Sequence, residues 1–223
     1  MGRVLIVVEG QTEEKFVKDI MIPYFHSKEI YGDLRVTILP SSILNNGKRH
    51  KGGVIKFESV VGYIKRLINS ADYVTTLLDY YGIDREFRGY KESLLKSDIK
   101  EKKELIEKEL ELEIMNSKFI PYIQMHEFEG LLFSNPDSFI YIDEKNPSLI
   151  EQIKVDISNY ITPEHINDSP ITAPSKRLEK YYEGYSKTID GLIVAEDIGI
   201  DTMKKECPLF KAWIEKIEKC LNK

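Results

Sequence analysis

The sequence predicts an α/β fold, a mostly parallel sheet flanked by helices with a C-terminal helical extension, and three observations carry that prediction. The chain opens on an uninterrupted apolar run, Arg3 to Val8 (RVLIVV), rich in β-branched residues, as in a strand covered on both faces. Helix-like segments then separate it from three further strand-like runs, and strands alternating with helices imply parallel pairing. After about Phe139 the chain changes to short segments divided by Pro147, Pro163, Pro170 and Pro174.

The elements follow in order. Behind the first strand, Thr12-Glu13-Glu14 reads as a helix start, with Thr12 suited to the N-cap and acids favourable in the first turn. Phe16, Ile20 and Met21 supply that helix's apolar face. Arg35 to Leu39 is the second strand. Val54 to Ile68 carries Phe57, Val60, Val61, Ile64, Leu67 and Ile68 at helical spacing, and Tyr73 to Leu78 is the third strand. A charged helix from about Lys100 to Met115, with Leu105, Ile106, Leu110 and Ile114, precedes a fourth strand, Phe119 to Met125. The last stretch, Phe210 to Leu221, is an amphipathic helix through Phe210, Trp213, Ile214, Ile217 and Leu221. An α/β domain over residues 1–139 and an extension over residues 140–223 are expected to pack together, since no Gly/Ser linker divides them.

Composition narrows the function classes. Of 223 residues, 42% are hydrophobic and 31% charged, which fits a water-soluble globular chain. Cys207 and Cys220 form neither a CxxC pair nor a second cluster, so the expected compartment is a reducing cytoplasm without a zinc site. Val4 to Val8 is too short for a signal peptide core, and no run approaches the ~20 apolar residues of a membrane span. A net charge of −5 argues against coating nucleic acid by bulk electrostatics. It leaves room for a nuclease, because carboxylates gathered for divalent metals make a metal-free chain acidic. Neither GxxxxGK[ST] nor GxSxG is present, so any ATPase is a separate chain.

In open α/β sheets ligands gather at the carboxyl ends of the strands. Strand one ends at Glu9, strand three at Asp79 in LLDYYG, and strand four at His126-Glu127-Phe128-Glu129. Glu9 and Glu13 flank the Gly10 turn and are expected to face one cation. Asp79 adds a third acid, and three neighbouring carboxylates repel one another unless a cation offsets them. Mg²⁺ or Mn²⁺ suits such oxygen donors. Read singly, Glu13 is a helix-start charge and Asp79 a turn residue; read together they indicate a metal site.

In HEFEGLLF, an extended backbone aligns Glu127 with Glu129, whereas a helix aligns His126 with Glu129. Both acids stay candidates, against a reading in which Phe128, Leu131, Leu132 and Phe133 merely anchor a core helix. NNGKRHKGG offers Lys48, Arg49 and Lys51 to phosphate groups, although a Gly-rich charged stretch is first of all a loop. Lys176 and Arg177, in APSKR, are candidates for neutralising charge on a transferring phosphate. His26 and His165 have no recognisable partners. Tyr80, Tyr81, Tyr181 and Tyr182 default to packing.

The stretch VVEGQTEEKF resembles the first motif of TOPRIM domains, and especially of nucleases of the overcoming-lysogenization-defect type. LLDYYG stands where TOPRIM has Asp-x-Asp, with Tyr81 in place of the second acid. RHKGG, TTLLDYYG, HEFEGLLF, APSKR and CPLFKAW together resemble an uncharacterised TOPRIM-like family encoded beside ATPases in prokaryotic defence neighbourhoods, across nearly the whole chain. The resemblance implies a TOPRIM/Rossmann-like sheet and a metal-dependent phosphodiesterase or nuclease. In that reading Glu9 and Asp79 are catalytic, with Glu13 and one of Glu127 and Glu129 completing the metal ligands. DNA or RNA is then the partner, with a separate ATPase chain and a homo-oligomer both compatible. Two other readings stay open: a non-catalytic regulatory subunit of an ATPase complex, and a hydrolase of small nucleotides.

Overall fold

The computed structural model describes residues 1–40, 54–144, 146–166 and 170–223. Strand β1 (Arg3–Val8) leads into a single helical arm made of α1 (Gln11–Lys15), a π-helical stretch (Phe16–Met21) and α2 (Ile22–Ser27). The π stretch has a local cause. Pro23 lacks an N–H and its ring would press on the carbonyl four residues back, and widening the preceding turns relieves that contact. Consistent with this, the Ile22 N–H donates to the Val17 carbonyl, five residues back.

Next come β2 (Asp33–Ile38), α3 (Phe57–Leu67), β3 (Tyr73–Asp79), a short 3-10 turn (Tyr80–Gly82), α4 (Tyr90–Ser93) and α5 (Ile99–Ile114). The fourth strand is split into β4 (Phe119–Ile120) and β5 (Ile123–Gln124), both paired with β3. Pro121 at the break has no N–H to give the ladder. Thr76 bridges the gap: its Oγ1 accepts from the Tyr122 N–H and donates to the Tyr122 carbonyl, each at 2.8 Å. Strand order is β2-β1-β3-β4, and every pair is parallel, as the alternating pattern predicts.

Period-2 alternation in β1 divides the interior in two. Val4, Ile6 and Val8 enter one apolar cluster, and Leu5 and Val7 enter the other with α3 and α5. The extension, comprising α6 (Pro147–Ile157), α7 (Pro174–Tyr181), α8 (Asp190–Glu206) and α9 (Pro208–Leu221), covers the first face. Leu149, Ile153, Leu178, Val194, Phe210 and Trp213 share one core with Val4, Ile6 and Phe16, so residues beyond 139 close the α/β core itself. Among the described residues no helix is long and apolar enough to cross a membrane.

Buried charge organises this face as well. Glu164 accepts from the Leu209 and Phe210 N–H groups, both at 2.9 Å, and so caps α9, whose Cys207 and Pro208 leave those donors free. Glu107 accepts from the Ile123 N–H at 2.9 Å and pairs with Lys103, closing the edge beside β5. The Cys207 thiol is fully buried, and burial pushes it up, so it packs rather than reacts.

Candidate active site at the carboxyl edge of the sheet

Val8 of β1 pairs with Leu77 of β3 in parallel register, so both strands end at the same edge of the sheet. Glu9 follows directly on β1 and Asp79 closes β3, which puts the two acids on adjacent strands. Glu13 comes back to them from the first turn of α1, where its Oε2 accepts from the Gly10 N–H at 3.0 Å. The 3-10 turn after β3 then presses on Glu9. A Cβ on Gly82 would stand 2.5 Å from Glu9 Oε2, so a larger residue there would make the carboxylate shift.

HEFEGLLF combines both geometries weighed from the sequence. His126 adopts a left-handed conformation with φ 64°, and its carbonyl accepts from the Tyr81 N–H at 3.1 Å. Glu127 is extended, and Phe128–Ser134 forms a 3-10 helix in which Glu129 is buried. The Ser175 N–H at the start of α7 donates to Glu127 Oε2 at 3.0 Å.

One cation stands among these acids. Lys187, in the turn before α8, places Nζ 3.0 Å from Glu129 Oε1 and 3.8 Å from Glu127 Oε1. Even so, Glu9 Oε2, Asp79 Oδ1 and Glu129 Oε2 are buried with no hydrogen-bond partner. Lys187 escaped the sequence reading because a single Lys among 32 Lys and Arg residues carries no spacing signal. Only the path of the chain brings it here.

The electrostatics follow from that crowding. Burial, reinforced by Glu13 and opposed by Lys187, pushes Glu9 up to about 7. Burial likewise raises Glu129 to about 7, against the pull of Lys187. Asp79 is raised well above the usual carboxylate range, first by burial and then by Glu13, Glu9 and Glu129. Burial raises Glu13 too. For Lys187 burial works against the charge, but Glu129 and Glu127 prevail and hold it above the ordinary lysine value.

A pH dependence follows. Glu9 and Glu129 titrate near 7 in the folded chain and at the ordinary glutamate value when unfolded, so between these values the native state binds more protons. Stability from these groups is full below the unfolded value and is lost as pH rises through about 7, on the order of 3 kcal/mol for one such group. Melts in chelator are expected to show a falling midpoint from pH 5 to 8, flattened in Glu9→Gln; a midpoint that rises over this range would contradict the assignment.

Other candidates lie elsewhere. Lys176 pairs with Glu179 at 2.6 Å on the exposed side of α7. Arg177 binds Asp156 at 2.9 Å, the Tyr160 hydroxyl at 2.7 Å and the Thr172 carbonyl at 2.8 Å, tying α7 to α6. Lys48, Arg49 and Lys51 fall outside the described residues. His165 hydrogen-bonds Thr162 at 2.8 Å, and the Tyr80 hydroxyl meets Ser93 at 2.7 Å.

The donor set fits a hard divalent cation in its chemistry, with oxygen ligands and three orphaned buried oxygens. Its geometry is less complete. Among the described residues, no three His, Cys, Asp or Glu side chains form a ready-made metal site. Three of the acids already have protein partners: Glu13 accepts from the Gly10 N–H, Glu127 from the Ser175 N–H, and Glu129 pairs with Lys187.

A family model described as Domain of unknown function (DUF4276) matches residues 8–218. The chain belongs to the DUF4276 family. Its matched span starts one residue before Glu9 and includes Glu13, Asp79, Glu127, Glu129 and Lys187. No curated protein and no solved structure matches the chain.

Proposed function

We propose that this DUF4276 chain is a Mg²⁺- or Mn²⁺-dependent phosphodiesterase of TOPRIM type acting on DNA or RNA in the cytoplasm, with a separate ATPase chain as partner. The observation that supports it is the set of orphaned oxygens, Glu9 Oε2 and Asp79 Oδ1 at neighbouring strand ends and Glu129 Oε2 in the 3-10 helix beyond β5. Buried carboxylate oxygens without donors are costly, and a divalent cation is the partner that satisfies several at once. Glu9, Asp79 and Glu129 would hold it, with Glu13 and Glu127 beside them. When bound, such an ion polarises phosphate oxygens and acidifies a water to a nucleophile.

The chain's own groups do the rest. Gly82 leaves room for the Glu9 carboxylate at the strand end, and the Gly10 and Ser175 amides orient Glu13 and Glu127. Glu129 contributes to the field at Asp79 and so takes up the role left vacant by Tyr81 in the Asp-x-Asp position. A second reading, a regulatory subunit of an ATPase complex, is favoured by Tyr81 standing where the Asp-x-Asp motif has its second acid.

The deciding test is Glu9→Gln, which keeps size and removes charge. Cleavage of single-stranded DNA, duplex DNA, RNA and a small nucleotide diester is measured with Mn²⁺, with and without the ATPase partner. The expected loss is ~10³-fold, the rate equivalent of about 4 kcal/mol of lost charge stabilisation. Activity that survives, or a wild type inert on every substrate, moves the assignment to the regulatory reading.

A further inference from the structure

Two of the five acids of the site, Glu127 and Glu129, face an ammonium, that of Lys187. We propose that Lys187 is an internal counter-cation that competes with the divalent ion for these carboxylates, so that binding a metal requires its ammonium to leave. The inference rests on the cation-binding reading above and extends it to how the site is controlled.

Three structural facts carry it. The first is contact: Lys187 Nζ lies 3.0 Å from Glu129 Oε1 and 3.8 Å from Glu127 Oε1, and Glu129 is almost wholly buried, at 1% exposure. A carboxylate so enclosed cannot stay ionised without a cation, and the ammonium is the one supplied among the described residues. The second is the route out. The Lys187 side chain is 41% exposed, so rotation about its own bonds can carry the charged end into water.

The third is the rigidity of the backbone beneath. The Ser186 N–H donates to Asp190 Oδ2 at 2.7 Å, and the Ile189 and Gly191 N–H groups both donate to the Ser186 carbonyl at 3.2 Å. The turn is thus pinned to the start of α8, and exchange of cations needs a side-chain movement only. Held in this way, the ammonium pairs with Glu129 and faces Glu127, two carboxylates that a divalent ion would otherwise take.

The test uses the full chain and Mn²⁺ alone, in Lys187→Met, Lys187→Arg and Glu9→Gln. Affinity is read by calorimetry and by the electron paramagnetic resonance of free Mn²⁺, and stability by melts in chelator and in Mn²⁺. Competition predicts that Lys187→Met binds Mn²⁺ at least tenfold more tightly than wild type, melts lower in chelator, and gains more from Mn²⁺. Lys187→Arg, which keeps the charge and guards against a Met variant that does not fold, is expected to bind no more tightly than wild type. Equal or weaker binding by Lys187→Met, or tighter binding by Lys187→Arg, overturns the competition while a Glu9-dependent site in wild type leaves the cation reading standing. No Mn²⁺ site in either wild type or Lys187→Met overturns both.

Discussion

Asp79→Asn is expected to melt at or above the wild-type midpoint in chelator and to lose the stabilisation that Mn²⁺ gives the wild type. The two effects have one origin. Asp79 Oδ1 is buried without a hydrogen-bond partner, in the field of Glu13, Glu9 and Glu129. Without metal the charge is a liability that the neutral amide removes at similar size. With metal the same oxygen is a ligand the amide replaces poorly, since the cation prefers an ionised donor. At one hundred times its dissociation constant, a bound ion stabilises the native state by about 2.7 kcal/mol. For a chain of this size that is roughly 5 to 10 °C, all of it expected to vanish in the variant. Differential scanning calorimetry in chelator and in Mn²⁺ reads both arms. An Asp79→Asn protein that keeps the full Mn²⁺ shift places the cation somewhere else, and one that unfolds in chelator makes Asp79 a structural group.

Trp213→Ala is expected to cost roughly 3 to 5 kcal/mol, enough to threaten the whole fold. Trp213 is 2% exposed on α9, and its ring stacks on Tyr122 at a centroid distance of 4.4 Å with 10° between the planes. Its Nε1 donates to Thr75 Oγ1, in the middle of β3, at 2.9 Å. The side chain therefore fastens the last helix to the strand that delivers Asp79. Trp213→Phe keeps most of the apolar area and loses that donor, leaving the buried Thr75 hydroxyl short of a partner, at about 1 to 3 kcal/mol. Urea unfolding followed by circular dichroism measures both. A loss below about 1 kcal/mol for Trp213→Ala would mean that α9 is dispensable to the sheet. Cys207→Ser, at a buried thiol on the same face, bears on packing alone.

Strand-end acids, the alternation of strands and helices and the apolar stripe of the last helix were legible because each is a local pattern. RVLIVV is a strand by composition, Glu9 and Asp79 follow their strands directly, and the period of Phe210, Trp213, Ile214 and Ile217 is that of one helix face. The parallel sheet and the adjacency of β1 and β3 came out as expected on those grounds. The fourth strand, expected unbroken over Phe119 to Met125, is instead split at Pro121, and neither the break nor the device that bridges it was read. That device is a hydroxyl on another strand, Thr76, and no pattern within one segment announces a partner in another.

Everything that gives the site its character lies on the non-local side of that division. The sequence by itself determined the alternation of elements, the face each helix buries, and which carboxylates stand at strand ends. Tertiary structure alone decided that Gly82 abuts Glu9, that Glu127 is held by an amide of α7, that Arg177 is committed to Asp156 and Tyr160, and that Lys187 enters among the acids. The physical reason is range. Backbone propensity and hydrophobic period act over a few residues, whereas a buried charge is satisfied by whichever opposite group the packing of distant helices brings within a few ångströms.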